Sequence, residues 1–184
     1  MTRADFHIHT EYSPDSVMPV RSLLRRCQSQ GLGLIAVTDH NTIDGALEAK
    51  SLADFPVIVG EEVTTADGEL TGLFLTEPIP RGLSAVETAK RIKDQGGLVS
   101  IPHPYDVFRR NVITPEALAE VVKLADIIEG FNARNTFKSA NANAKELAAS
   151  VGLPITAVSD SHTAMEVGRT YTELTIDEVT PQAL

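Results

Sequence analysis

Asp5-Phe6-His7-Ile8-His9 is the stretch of this chain that is richest in groups able to do chemistry. Side chains alternate along an extended backbone, so Asp5, His7 and His9 should point to one face and Phe6 and Ile8 to the other. Two imidazoles at adjacent same-face positions can reach one cation, and an aspartate two residues earlier can orient one of them. An isolated His-x-His is commonly no more than the wet face of a strand. Here it has company. The chain holds five histidines, His7, His9, His40, His103 and His162, each at or just past the end of an apolar, β-branched run. Carboxylates occupy the same kind of place: Asp39 before His40, Glu61-Glu62 after Pro56–Val59, Glu129 near Asn132, and Asp160 before His162. Buried without a counter-charge they would be costly, and a cation supplies one. Mixed imidazole and carboxylate donors suit zinc, manganese or iron better than calcium or magnesium, which prefer oxygen-only shells. Two such ions lower the pKa of a bound water and hold both oxygens of a phosphoryl transfer. A bridging hydroxide would then be the nucleophile, with no Ser or Cys in that role.

The elements that must position these groups alternate. Strands are predicted over Ala4–His9, Leu34–Thr38, Val57–Val63, Leu98–Ile101, Asp126–Phe131 and Ile155–Ser159, and helices over Val20–Gln30, Ile43–Leu52, Ala85–Gln95, Pro115–Leu124 and Ser139–Val151. Ser84 and Thr114 suit N-caps and Pro115 a first helical position. Gly68 between Val63 and Leu70–Leu75 reads as a hairpin turn. Strand–helix alternation argues for parallel strands joined by right-handed crossovers. Glycine-rich dinucleotide and phosphate fingerprints are absent, which weakens an open nucleotide-binding sheet. Histidines gathered at strand C-termini favour a barrel, whose βα loops all open on that face.

Composition sets outer bounds. With 184 residues, 42% of them hydrophobic, the chain is the size of one domain with a proper core. Its single Cys27, in a helix-period segment, excludes an internal disulfide and any cysteine-cluster zinc module, and reads as a structural thiol. Net charge −9 disfavours stable binding to duplex DNA or an acidic membrane. No apolar run is long enough to span a bilayer. The start of the chain runs into a strand without an apolar leader, so a cytoplasmic location is expected.

Taken in order, Asp5-Phe6-His7-Ile8-His9-Thr10, Tyr12-Ser13-Pro14-Asp15-Ser16, Thr38-Asp39-His40-Asn41, Gly60-Glu61-Glu62-Val63, Ile101-Pro102-His103-Pro104, Glu129 to Asn132 and Ser159-Asp160-Ser161-His162-Thr163 resemble the motifs of the polymerase and histidinol phosphatase (PHP) family of metal-dependent phosphoesterases. The resemblance spans nearly the whole chain. It implies a single PHP-like domain over 1–184, folded as a distorted parallel (β/α)7-type, TIM-like barrel, with two or three divalent transition-metal ions (Zn, Mn or Fe). By position it implies His7, His9, Glu62 and Asp160 as a first site, Glu62 bridging to a second site with His103, and Asp15, His40 and His162 as a third. It selects Glu62 over Glu61, which spacing leaves open. Many members carry a further histidine in the hairpin after the glutamate. Counting back from Gly72, Glu69 holds that position and is expected to join the second site. Glu62, His103 and Asp160 are the expected catalytic groups, with Asp5 orienting a ligand histidine. No insertion separates His40 from His103, unlike members with a lid domain.

Arg109, Arg110 and Arg134 follow two strand ends and are the expected substrate-binding residues, since arginine suits bidentate phosphate contact. The expected partner is a small phosphorylated substrate, with nucleotides and short oligonucleotides among the candidates. Two other classes stay open: a non-catalytic metal-binding PHP module, and a metal-dependent amidohydrolase. The near-complete ligand set argues against the former. The amidohydrolase barrels usually need a bridging lysine where this chain supplies glutamate.

Overall fold

A computed structural model describes all residues, 1–184. The elements run β1 (Thr2–Asp5), α1 (Val20–Gln30), β2 (Leu34–Val37), α2 (Asp44–Leu52), β3 (Val57–Thr65), β4 (Gly68–Leu73), α3 (Ala85–Asp94), β5 (Leu98–Ile101), α4 (Pro115–Val121), β6 (Ile127–Asn132), α5 (Lys138–Val151), β7 (Ile155–Val158) and β8 (Thr172–Leu174). The helix boundaries have local causes. The Ser84 and Thr114 side chains accept from the backbone N–H groups of Glu87 and Ala117, and Pro115 opens α4. Gly31 and Gly152 end α1 and α5 in the left-handed conformation that a side chain would disfavour.

The strands form one sheet in the order β7-β6-β5-β4-β3-β2-β1-β8. The distorted α/β barrel expected from the sequence is present, with the expected hairpin at Gly68 and one strand more than expected. After a tight turn at Gly68, β4 lies antiparallel between β3 and β5. The chain end adds β8, antiparallel to β1. With three half-exposed residues and no apolar period, β8 carries almost no sequence signal.

The sheet curls nearly shut. At its lower end the Thr172 hydroxyl both donates to the Ala157 carbonyl and accepts from the Ala157 N–H, at 3.0 and 2.9 Å. Higher up, the segments after β1 and β7 meet directly: Asp160 N–H donates to His7 O, and His9 N–H to Ser161 O, both at 2.9 Å. Ala4, Phe6, Leu34, Ala36, Ile58, Leu73, Ile127 and Val158 fill the inside, and Leu174, Ile176, Val179 and Leu184 pack against them from the tail. The opposite faces, among them Ile35, Val37, Val57, Val59 and Val63, pack on the helices through residues such as Leu23, Cys27, Ala49, Ile92 and Ala144.

Candidate metal centre

The inner faces of the strands change character toward the mouth. On β3, Ile58 is followed on the same face by Gly60 and Glu62, while Glu61 turns outward and accepts from Ile79 N–H at 2.8 Å. On β6, Ile127 is followed by Glu129, just before a bulge at Gly130. β4 runs the other way, so its first inward residue, Glu69, also reaches the mouth. Val158 leads to Asp160, and Ala36 through Thr38 to His40. Two of the histidine and carboxylate positions, His103 (φ 27°) and Asp160 (φ 53°), sit in left-handed backbone. Such strain costs about 1–3 kcal/mol each and concentrates at functional positions.

Four groups of side chains come within ligand-sharing distance, their donor atoms within 4.8 Å of one another: His7, His9 and Asp160; His7, Glu62 and His103; His40, Glu62 and Glu69; and His9, Asp15, His40 and His162. Glu62 stands between them. Its oxygens lie 3.0 Å from His103 Nε2 and 3.3 Å from His7 Nε2, His9 Nε2 and His40 Nδ1.

Hydrogen bonds settle which ring nitrogens face inward. His7 Nδ1 donates to Glu129 Oε1 at 2.5 Å, and His162 Nδ1 to the Asp160 carbonyl at 2.9 Å. The Ser13 hydroxyl spends its one hydrogen on Asp39 Oδ1 at 2.6 Å and accepts from His40 N–H, so His9 Nδ1, 3.1 Å away, must donate to it. Asp39 also accepts from Thr10 N–H and hydroxyl. Gly45 permits this packing, because a Cβ there would stand 2.1 Å from Asp39 Oδ2. His7 and His9 therefore aim Nε2 lone pairs at one spot, 2.9 Å apart, where neither can donate to the other. Asp160 Oδ1, buried beside them, has no hydrogen-bond partner.

This donor set fits divalent cations. Lone pairs that face one another, an unpartnered buried carboxylate oxygen, and imidazoles braced by carboxylate or hydroxyl at the far nitrogen are the features of a metal-ligating histidine cluster. The electrostatics agree. Burial opposes ionisation of Glu62 and Asp160, and the surrounding imidazoles outweigh it, keeping both carboxyls well below their usual range. Burial likewise opposes a proton on His9 Nε2, yet the neighbouring carboxylates of Asp160 and Glu62 raise its pKa to about 9, so that position draws either a proton or a metal cation. Hydrogen bonds from His162 and His40 hold Asp15 low. The field at the mouth demands positive charge.

Several expected positions need restating. Asp5 is buried, but it meets backbone rather than imidazole: Oδ1 accepts from the N–H groups of Ser159 and His7, at 3.1 and 3.4 Å. The β1 ladder ends at Asp5, not His9, and strict alternation ends with it, so Phe6 joins the inner cluster and Ile8 the outer one. The carboxylate that braces His7 is Glu129. Glu69 converges with His40 and Glu62 rather than with His103, and Asn111 donates to it at 2.9 Å. Arg109 is engaged by Asp160 Oδ2 at 2.5 Å and by Asp106 at 3.4 Å. Arg134 lies 3.6 Å from Glu166, a partner invisible in sequence. Arg109, Arg110 and Arg134 do line one cavity of about 630 Å³ together with Asp15, His40, Glu69 and His162, and Arg81 joins them from the β4–α3 loop. Arg81 and the bracing pair Ser13–Asp39 went unassigned in sequence. The signal for Ser13 was its place in Tyr12-Ser13-Pro14-Asp15; Arg81 had none.

The C-terminal quarter, residues 138–184, matches the family model described as PHP-associated. A Methanocaldococcus jannaschii uncharacterized protein is 47% identical over 116 residues, covering 56% of this chain and 68% of the relative. A second uncharacterized protein of that organism is 33% identical over 182 residues, covering 96% of this chain and 73% of its own length. Among solved structures, a two-domain Bacteroides vulgatus protein containing a predicted PHP-like metal-dependent phosphoesterase superimposes with TM-score 0.72 at 20% identity, over 91% of this chain and 54% of that one. The lesion-specific endonuclease of Pyrococcus furiosus does so with TM-score 0.67 at 16% identity, over 99% and 54%. An amidohydrolase from Chromobacterium violaceum gives 0.73 at 16%, over 94% and 92%. At these identities the structural likenesses speak for the fold. The chain belongs to the PHP family, with a PHP/TIM-like α/β barrel and side-chain groups suited to divalent metal.

Proposed function

We propose that this protein is a metal-dependent phosphoesterase that hydrolyses a phosphate ester of a small molecule, nucleotide or short oligonucleotide with water. The observation that carries the reading is the convergence of four ligand groups at the mouth of the barrel, two of which, through Asp15, His40, Glu69 and His162, line a cavity that arginines rim. His7, His9, Asp15, His40, Glu62, Glu69, His103, Asp160 and His162 are the proposed metal-holding residues. Bound divalent ions would supply Lewis-acid stabilisation of the phosphoryl oxygens and an acidified water.

The chain's own contributions follow from its geometry. Glu129 and Ser13 keep protons on His7 Nδ1 and His9 Nδ1, leaving Nε2 free as a donor. Glu62 is a member of two of the four groups and lies 3.3 Å from histidines of the other two, so its negative charge is common to all four and fixes their spacing, which positions reacting atoms. Arg81, Arg110 and Arg134 can take the remaining anionic oxygens of the substrate. Arg109, held by Asp160, braces that carboxylate instead. Cys27 is no rival nucleophile. It is on the buried face of α1, and burial, then Asp5, push its thiol up to about 12.

The deciding experiment is a phosphoesterase screen with added Mn²⁺, Zn²⁺ or Fe²⁺ over sugar phosphates, nucleotides and short oligonucleotides, run beside elemental analysis. We expect two or more transition-metal ions per chain and turnover of at least one ester. Fewer than one ion per chain after metal-replete preparation, or ions without turnover of any ester, would sink the reading.

A further inference from the structure

The mouth of the cavity carries an aromatic pair that the phosphate chemistry does not use. Phe108, in the loop between β5 and α4, is 65% exposed, and Phe137, just before α5, is 56% exposed. Their rings meet edge to face, centroids 5.4 Å apart at 61°. Phe108 lines the largely polar cavity beside Arg109 and Arg110. Phe137 follows Thr136, which lines the same cavity.

The two loops are tied together beneath the rings. Asp106, buried, takes Thr136 N–H at 3.3 Å and faces Arg109 Nε at 3.4 Å, while its carbonyl accepts Arg109 N–H at 2.9 Å. The pair is thus held in place by a polar clasp, and the apolar core contributes nothing to its position: neither ring belongs to either buried cluster. An edge-to-face contact covers the edge of one ring and one face of the other, and leaves the remaining ring faces open. Such a surface suits a flat π-system, and the neighbouring arginines suit an anion attached to it.

We propose that Phe108 and Phe137 form a nucleobase platform, stacking the base of the nucleotide whose phosphate enters the site. The inference rests on the phosphoesterase reading and deepens it to a base-bearing, single-stranded or mononucleotide substrate. The occupant is chosen by charge: a base carries its phosphate toward Arg81 and Arg110, whereas an apolar protein segment would leave those two cations unmatched. Base–aromatic stacking supports affinity differences of roughly tenfold or more per base and tolerates any base identity.

The test uses the metal-replete protein with a 5′-phosphorylated trinucleotide carrying 2-aminopurine and the same trinucleotide made abasic. The chain has no tryptophan, so the probe's fluorescence is read without interference. Wild type should quench the 2-aminopurine on binding and should favour the base-bearing substrate by roughly tenfold in kcat/KM. Phe108→Leu and Phe137→Leu, which keep apolar bulk but remove the ring, should abolish quenching and bring the base-to-abasic ratio toward one. Phe108→Tyr and Phe137→Tyr should retain both. Quenching or preference that survives in the leucine variants, or equal loss on both substrates, overturns the platform. So does a leucine variant that changes only the oligomeric state by gel filtration, which would make the pair a protein interface. Hydrolysis of both trinucleotides at the same rate in wild type sinks the platform alone; hydrolysis of no phosphate ester sinks the phosphoesterase reading beneath it.

Discussion

At the lower end of the barrel, Ala4, Leu34, Ile58 and Ile127 touch one another and the apolar tail through Leu174, Ile176 and Val179. One to two turns of the pleat further up the same inner faces stand Thr38, Glu62, Glu129 and Asp160, all buried and charged or polar. The lower end is satisfied: its groups need nothing from outside. The upper end holds an unpartnered Asp160 oxygen, opposed imidazole lone pairs and two left-handed residues. One end stabilises; the other stores the unmet valences that a ligand must answer. Substitutions should sort the same way, with damage to activity above and damage to stability below.

The sharpest contrast lies between adjacent residues of β3. Glu62→Gln keeps size but removes the central negative charge, so kcat/KM should fall by roughly 10³-fold or more, about 4 kcal/mol of transition-state stabilisation. Glu61→Gln, on the outward face, should leave turnover within a few-fold of wild type. The reverse ranking would break the face assignment of β3 and the ligand set with it.

At the lower end, Leu34→Ala removes a fully buried side chain from the inner cluster. The loss should be about 3 kcal/mol of stability by urea unfolding, with metal stoichiometry unchanged. A variant that kept its stability but lost metal would erase the division between the two ends.

Glu129→Gln tests the upper end one contact away from the ligands. An amide in place of the carboxylate weakens the brace on His7 Nδ1, and metal affinity should drop roughly 10- to 100-fold, read by competition with a chelator. Unchanged affinity would show that His7 is oriented by packing alone.

The smallest effect returns to Glu61. Burial raises its carboxyl from 4.5 to about 7, against one hydrogen bond from Ile79 N–H. An acid whose pKa rises on folding stays protonated in the folded chain after it has ionised in the unfolded one. Its favourable share is complete below about 4.5 and is lost as pH climbs through about 7. Glu61→Gln should therefore be more stable than wild type at pH 8, with the gap closing by pH 5. A gap independent of pH would mean that Glu61 ionises as freely as in the unfolded chain.

What could be read from sequence was whatever depends on near neighbours. Alternating apolar faces, Ser84 and Thr114 caps, Pro115 and the Gly68 turn are local physics, and they placed the helices to within a few residues and the histidines at strand ends. The opposite facing of Glu61 and Glu62 follows from the period of a strand and held in β3, a long strand paired on both sides. The same rule failed for Asp5 and His7, because the ladder of β1 stops between them. Relations across the chain had no such trace: Glu129 bracing His7 over 122 residues, Glu166 facing Arg134, Asp106 clasping the Phe108 and Phe137 loops, and β8 closing the sheet beside β1. Each is decided by which loop ends closure of the barrel brings within hydrogen-bond reach, a distance that local spacing along the chain does not encode.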